Sequence, residues 1–465
     1  MSKESGKYTS WNRRALIKRI EILERECSLS ETGTESEDFS GLPELSEACD
    51  LSIVTTPGQP ENLLIEGENL EALHLLNRDF RGKIDLIYID PPYNTGRTDF
   101  RYLDNFRSGD GDRHGRWISF MRKRLIPARD LLADEGAIFI SINEDEFAHL
   151  KLLCDEIFGE RNYLTTVSVK VRHEKRFLKS DKAFHEVVEY LLLYRKRGFK
   201  PWKRRESARM DDYRYKIREL KDNPQLVRFG GKKTAVFGPG EFELVKGDPG
   251  AGMLKKINIR GTLKEGNSSG RFYMKYLAGK PGGYLYRVEG IGDDGMGCRY
   301  FLTPTDRKNG NYLQGVPQSG ESVKEFPCPN FFDFVSEFNR VGQEGGVEFR
   351  NGKKPVEFLK KILEIGNCTG KKDAIVLDFF AGSGSTGQAV LELNLSDPGN
   401  RRFILCTNNE EDICSQVCYP RLRNVMLGYR DRCRRLHPGL GGNLRYFRIQ
   451  PAGRGGSEQG KNRLF

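Results

Sequence analysis

Two short, nearly unbroken apolar runs constrain this chain more than any other feature. KIDLIYID (83–90) and AIVLD (374–378) each end on an aspartate, and a proline- or glycine-built turn follows within a few residues. A strand apolar at consecutive positions hides both of its faces, and such strands belong to parallel sheets with helices packed on either side. Other segments keep the same alternation. NLLIEGENLEALHLL reads as strand, turn and helix, WISFMRKRLIPARDLL as a helix, GAIFISI as a strand, HLKLLCDEIFG as a helix and VVEYLLLYRK as a strand. After a long interval come the helix PVEFLKKILEIG, the strand, loop and helix AIVLDFFAGSGSTGQAVLEL, and the strand RRFILCTNNE. The predicted fold class is α/β, a mostly parallel sheet with helices on both faces.

The interval has a different character. Residues 200–340 carry glycine-rich turns (GPGE, GDPGAG, GKPGGY, EGIGDDGMG) between short strand-like runs, which predicts an inserted, β-rich module. At the other end of the chain, residues 9–27 place Leu16, Ile20 and Leu23 at helical spacing, and a polar, acidic linker follows. The expected organisation is 1–45 N-terminal helix and linker, 46–199 first half of the α/β domain, 200–340 inserted module, 341–430 second half, and 431–465 basic C-terminal tail.

Charge points to a partner. The net charge is +11, and it is concentrated: 17 Lys and Arg stand against 7 Asp and Glu between Lys170 and Arg218, and 11 against 2 from Arg421 onward. Two such blocks, the first interleaved with aromatics, favour a polyanion through phosphate neutralisation, so nucleic acid is the expected partner. No apolar run approaches the length of a membrane span and the N-terminus lacks an apolar leader, which predicts a cytoplasmic chain with no membrane contact. The ten cysteines form no CxxC pair and have no histidine partners at zinc-binding spacing, so free thiols and no metal site are expected.

Two constellations carry chemistry. In the first, Asp378 ends a strand and Phe380, Gly382 and Gly384 follow as FxGxG before a helix. Glycines there let the backbone turn sharply and approach a ligand at the carboxyl edge of the sheet, which suits a nucleoside cofactor. Gly382, Gly384 and Gly387 also satisfy GxGxxG, so spacing alone leaves NAD and an adenosyl sulfonium both open.

In the second, Asp90, Pro91, Pro92 and Tyr93 stand at the end of another strand of the same sheet. A carboxylate, an outward prolyl carbonyl and a flat ring suit an exocyclic amino group on a planar heterocycle. The acceptors would localise the nitrogen lone pair, and the ring would stack a base turned out of a duplex. No GxxxxGK[ST] loop is present, so ATP-driven work is assigned to another polypeptide.

With both in hand, the chain resembles amino-group DNA methyltransferases of the circularly permuted β group, and within it the modification subunit of type III restriction-modification systems. DPPY (Asp90 to Tyr93) matches that family's catalytic motif and FAGSG (Phe380 to Gly384) its cofactor motif. Further stretches carry the likeness, among them WISFMRKRLIPARDLLADEGAIFISINEDE and RRFILCTNNEEDICSQVCYPRLRNVM.

The resemblance implies a Rossmann-like, S-adenosylmethionine-dependent methyltransferase fold with residues 200–340 in the target-recognition place. It implies that Asp90, Pro91, Pro92 and Tyr93 act on the target amine, and that Asp378, Phe380, Ala381, Gly382, Ser383 and Gly384 line the cofactor. Lys354 and Pro355 resemble the motif that closes the cofactor pocket. Relatives often carry an acid for the ribose hydroxyls where this chain has Thr407, so Asn408, Asn409 or Glu410 is expected to serve.

The implied reaction is methylation of adenine N6 in double-stranded DNA, by a homodimer that works with a helicase-nuclease restriction subunit. The alternatives are a cytosine-N4 enzyme, an orphan methyltransferase, or a DNA-recognition subunit without turnover.

Overall fold

The computed structural model describes residues 43–96, 106, 113–176, 184–206, 210–250, 252–292, 294–305, 309–316, 324–349 and 352–451. The helix expected over 9–27, its linker, and the glycine-rich stretch after residue 452 lie outside the described residues. The chain divides into two compact units: residues 1–199, 331–363 and 368–465 form the first, and residues 200–330 with 364–367 form the second.

The first unit is built on one eleven-stranded sheet. Its strands in chain order are β1 (Glu44–Glu47), β2 (Ile53–Val54), β3 (Glu61–Glu66), β4 (Ile84–Ile89), β5 (Leu132–Ile142), β6 (Tyr163–Lys170), β7 (Val188–Arg195), β8 (Phe331–Asp333), β9 (Ile375–Asp378), β10 (Arg402–Thr407) and β11 (Asn443–Gln450). Six helices matter for the site: α1 (Asn69–Phe80), α2 (Arg113–Leu131), α3 (Phe147–Cys154), α4 (Val356–Ile365), α5 (Ser385–Ser396) and α6 (Tyr419–Leu427).

Across the sheet the order is β1-β11-β3-β10-β9-β4-β5-β7-β6-β8, with β2 on β11. The six strands from β11 to β5 run parallel to one another, whereas β7 lies antiparallel to both β5 and β6. Burial explains the parallel centre. Leu63, Leu64, Ile65, Leu86, Ile87, Ile89, Val376 and Leu377 are all fully enclosed, so neither face of these strands meets water. The fold class expected from the alternation is the one found.

The decisive neighbours are β4 and β9. They pair in parallel, Val376 opposite Leu86 and Leu377 opposite Ile87. Their carboxyl ends therefore open on one edge, although the whole second unit intervenes in the chain.

Two boundaries differ from the sequence reading. Residues 331–340 do not belong with the inserted module, because β8 pairs in parallel with β6 of the first unit. Residues 431–465 are not simply a basic tail, because β11 adds to the sheet beside β3 and buries Leu444, Tyr446 and Phe447. Its arginines disguised it: Arg445 pairs with Glu47 and Glu61, and Arg448 with Glu66. Part of the second basic block is thus neutralised within the fold.

The second unit, taken by itself, holds a six-stranded antiparallel sheet. The helix Ser268–Tyr276 contributes Phe272 and Tyr273 to a core with Tyr286, Val288 and Phe301.

Candidate active site

The edge where β4 and β9 end opens into a cavity of about 310 Å³. Asp90 and Pro92 line it from β4. Asp378, Phe380, Ala381, Gly382 and Ser383 line it from β9 and the loop after it, and Lys354 lies between them. The remaining wall includes Glu68, Asn69, Tyr88, Phe120, Arg124, Thr407, Asn408 and Glu410. The two constellations read from the sequence meet in one chamber.

The glycine loop is held from three sides. Gly384 adopts φ 75°, a left-handed conformation that costs an L side chain, and a Cβ there would come within 3.0 Å of Cys418 Sγ. Its amide donates to Ala381 O at 2.8 Å, and the Ala381 amide donates to Cys406 O on β10 at 3.1 Å.

Beneath it lies the fully buried guanidinium of Arg421 on α6. It donates to Ser383 Oγ at 3.1 Å, Ser385 Oγ at 2.6 Å and Gln388 Oε1 at 2.9 Å, and it pairs with Glu344 at 3.3 Å. Glu344 in turn accepts from the amide of Val356 at the start of α4. One arginine thereby ties the loop to the segment that carries Lys354.

Asp378 is enclosed at the centre. Its carboxylate accepts from the Phe380 amide at 3.0 Å and from Thr386 Oγ1 at 2.6 Å. Burial pushes its pKa up to about 7 despite those two donors, with the nearby Asp90 charge adding to the rise.

Around Asp90 the structure assembles three polar side chains. Asp90 Oδ1 accepts from Tyr93 OH at 2.8 Å and lies 3.1 Å from Lys354 Nζ. Lys354 Nζ also donates to Glu189 Oε2 and to Tyr93 OH, each at 2.8 Å, and Tyr93 OH lies 3.1 Å from Glu189 Oε2. All three charged groups are nearly enclosed, with side-chain exposures of 9% for Lys354, 14% for Asp90 and 15% for Glu189.

Burial raises the Asp90 carboxyl above its usual range, against the attraction of Lys354. Burial acts the same way on Glu189, but there the ammonium and its hydrogen bond win and the carboxyl falls below the usual range. For Lys354, burial disfavours the charge, yet the two carboxylates outweigh it and leave the ammonium more firmly protonated than a free lysine.

The turn after Asp90 is fixed by partners that the sequence reading passed over. The indole of Trp117 on α2 donates Nε1–H to Pro92 O at 2.8 Å, so the second prolyl carbonyl is turned inward and already occupied. Asn94, at φ 56°, donates to the buried Glu146 Oε1 at 2.6 Å. His114 Nδ1 lies 2.8 Å from the same oxygen, and His149 Nδ1 lies 3.0 Å from Glu146 Oε2. Arg113 Nε donates to His114 Nε2 at 3.3 Å. His114, Glu146 and His149 cluster beside Asn94 with their nitrogen and carboxylate atoms within 4.8 Å of one another, and Glu146 Oε2 and His149 Nδ1 make no hydrogen bond among the described residues.

Several sequence-predicted residues take places other than those expected. The Lys354 ammonium lines the cavity and also joins the Asp90 cluster. Pro355 does not line the cavity and instead opens α4, accepting from the Leu359 amide at 3.2 Å. Gly384 shapes the turn without lining the cavity. Asn409 is spent as a cap, accepting from Ser415 N at 3.0 Å and Ser415 Oγ at 3.2 Å, so Glu410, Asn408 and Thr407 supply the polar groups at the end of β10. Pro92 lines the cavity, but its carbonyl is not a free acceptor.

The corner opposite is also charged. Arg124 donates to Asn69 Oδ1 at 2.6 Å and pairs with Glu68, and Asn69 Nδ2 donates to Phe379 O at 2.9 Å. Glu189 was visible in the sequence as the one acid within VVEYLLLYRK. Arg421 occupies the buried face of α6 with Leu422 and Val425, and a cation at such a position signals a partner inside.

A family model described as DNA methylase matches residues 84–417, which span both constellations and the second unit between them. The chain belongs to the DNA methylase family. Among relatives of this DNA methylase-family chain, the type III restriction-modification enzyme StyLTI Mod subunit of Salmonella typhimurium is 33% identical over 74% of this chain and 52% of its own. The type III restriction-modification enzyme EcoPI Mod subunit of Escherichia phage P1 is 30% identical over 76% and 58%. The type II methyltransferase M.KpnI of Klebsiella pneumoniae is 31% identical over 76% of this chain and 82% of its own. The chain spans about half the length of the type III relatives it matches.

Proposed function

We propose that this chain transfers the methyl group of S-adenosylmethionine to the N6 amino group of adenine in duplex DNA, as the modification and specificity subunit of a type III restriction-modification system. The observation that carries the reading is the shared cavity: Asp90 and the Phe380–Ser383 loop reach it from adjacent parallel strands. The names of the relatives favour the type III setting.

The cavity fits such a cofactor. Its volume lies in the range of small-molecule sites, apolar walls from Phe349, Leu359 and Ile413 suit a purine, and Asn408 and Glu410 can accept from ribose hydroxyls. Bound there, the cofactor supplies an electrophilic methyl group. The chain's own work is to hold the amine. Asp90 accepts one amine hydrogen and the Pro91 carbonyl the other, which directs the nitrogen lone pair towards the methyl carbon. Asp90, held above the usual carboxylate range, is also suited to take the proton that the methylated nitrogen releases.

Extrusion of the base from the duplex precedes the reaction, because pairing and stacking bury the amine. Sequence recognition falls to the second unit, and a homodimer working with a restriction subunit is the assembly this reading entails.

Incubation of the full chain with duplex DNA and S-adenosylmethionine labelled in the methyl group tests the reading, with nucleoside mass analysis to identify the modified base. N6-methyladenine from the wild type and none from Asp90→Ala is expected. Undiminished transfer by Asp90→Ala would remove the catalytic assignment, and N4-methylcytosine would transfer it to the other amine.

A further inference from the structure

Two carboxylates share the Lys354 ammonium, and their surroundings drive them apart. Asp90 stands at the end of β4 and opens on the cavity, whereas Glu189 lies on β7 and is not among the cavity-lining residues. The same ammonium is 2.8 Å from Glu189 Oε2 and 3.1 Å from Asp90 Oδ1, and the Tyr93 hydroxyl bridges the same two oxygens. We infer that Glu189 is a positioning residue for the methyl-transfer site: it takes the closer share of the Lys354 ammonium that Asp90 also faces, so that Asp90 is not fully neutralised by the lysine and can accept the amine hydrogen and its proton.

This inference rests on the proposed methyltransferase reading. When two neighbouring acids carry different proton affinities, the one with the lower affinity stays ionised as the fixed charge and the one with the higher affinity serves as the proton acceptor. Glu189 has the features of the fixed charge. It takes the shorter contact with Lys354, and Arg172 adds a second attraction to it. Asp90 is faced by Lys354, Glu189 and Tyr93, with Tyr88 and Asp378 close enough to be coupled to it.

Without the Glu189 charge, Lys354 has only Asp90 to pair with, and the like-charge repulsion that raises Asp90 disappears. Both effects lower the Asp90 pKa. Balance of the reaction is unchanged. The nitrogen pair forms the N–C bond, the S–C pair leaves on sulfur as a neutral thioether, and the displaced proton goes to Asp90.

The test compares wild type, Glu189→Gln and Glu189→Asp as full chains. Two measurements are made: steady-state methyl transfer as a function of pH, and the titration of the Asp90 carboxyl carbon in protein labelled at aspartate Cγ, with its resonance identified by loss in Asp90→Asn.

For Glu189→Gln we expect kcat to fall roughly 10- to 100-fold with KM for DNA and cofactor held within about twofold. The acid limb of the kcat profile and the Asp90 titration should both move to lower pH. Glu189→Asp keeps the charge and should lie between the other two, and it carries the test if the glutamine variant does not fold.

An Asp90 titration that stays in place in the variants would overturn the inference while leaving the methyltransferase reading intact. A titration that moves in a chain whose wild type transfers no methyl group would uphold the electrostatic assignment and overturn the reaction.

Discussion

Lys354 Nζ lies 3.1 Å from Asp90 Oδ1, and the segment that carries the lysine is anchored by the Arg421–Glu344 pair beneath the glycine loop. The group that neutralises the acceptor and the loop that lines the cavity thus share one support. Replacement of Lys354 by methionine leaves Asp90 and Glu189 buried together without the cation they share, with only Arg172 still attracting Glu189. We expect the Asp90 carboxyl to rise further, so the acid limb of activity moves to higher pH. Stability should drop by roughly 3–5 kcal/mol where both acids ionise, and by much less at low pH. Chemical denaturation across a pH series, beside the pH–rate profile, checks both.

Arg421→Ala removes the donor to two loop serines and Gln388 and strands the half-buried Glu344. The expected outcome is a loss of about 3–5 kcal/mol, from the cost of uncovering one partner of a buried pair. Affinity for S-adenosylhomocysteine should also fall about tenfold or more, since the loop loses its floor. Isothermal titration with S-adenosylhomocysteine separates the binding effect from the stability effect.

The two loop glycines should respond differently to alanine. Both have positive φ, 51° at Gly382 and 75° at Gly384. The nearest atom to a Cβ at Gly382 is Phe380 O at 3.8 Å, whereas at Gly384 it is Cys418 Sγ at 3.0 Å. Gly382→Ala should cost only the conformational strain, about 1–2 kcal/mol, and Gly384→Ala more than that because a neighbour must also shift. Paired denaturation curves at one pH decide it, and equal losses would count against the packing difference.

Asp378 gives a pH dependence whose sign can be fixed. Its folded pKa of about 7 exceeds the usual 3.8, so the folded state holds a proton that the unfolded chain has released over that range. Its contribution is therefore full at low pH and is lost as pH rises from near 3.8 to about 7. Relative to Asp378→Asn, the wild type should lose stability through this window and change little above it. Parallel denaturation of the two proteins from pH 4 to 8 measures the difference directly.

Trp117→Phe keeps the ring's bulk and removes the indole donor to Pro92 O. Losing that hydrogen bond at a buried carbonyl should cost about 1–3 kcal/mol. Methyl transfer should fall with little change in cofactor affinity, because the proline turn and not the glycine loop is released. Loss of cofactor binding in this variant would show that the two halves of the cavity are less independent than their separate supports suggest.

The central strands were legible because they are buried on both faces and therefore apolar at every position, and the two motifs because their residue types are costly to place anywhere else. What stayed hidden was of another kind. Glu189, Glu146 and Arg421 are single charges within apolar or mixed segments, and their meaning depends on which strand or helix packs against them. β11 looked like a basic tail because Arg445 and Arg448 are matched by acids that lie near the opposite end of the described chain. Asn409 and Glu410 were equally good ribose partners in sequence, and only the turn after β10, which spends Asn409 on Ser415, distinguishes them.

The place of β11 in the sheet has a consequence for how the protein is made. It covers the flank of β3, and β9 fills the gap between β4 and β10, so β3 and β4 cannot complete their ladder until β9, β10 and β11, which are made after them, arrive. A nascent chain that has delivered Asp90 is still an unfinished template with open hydrogen-bonding edges. Synthesis interrupted before Asn443 should yield aggregation-prone fragments rather than a weakened enzyme.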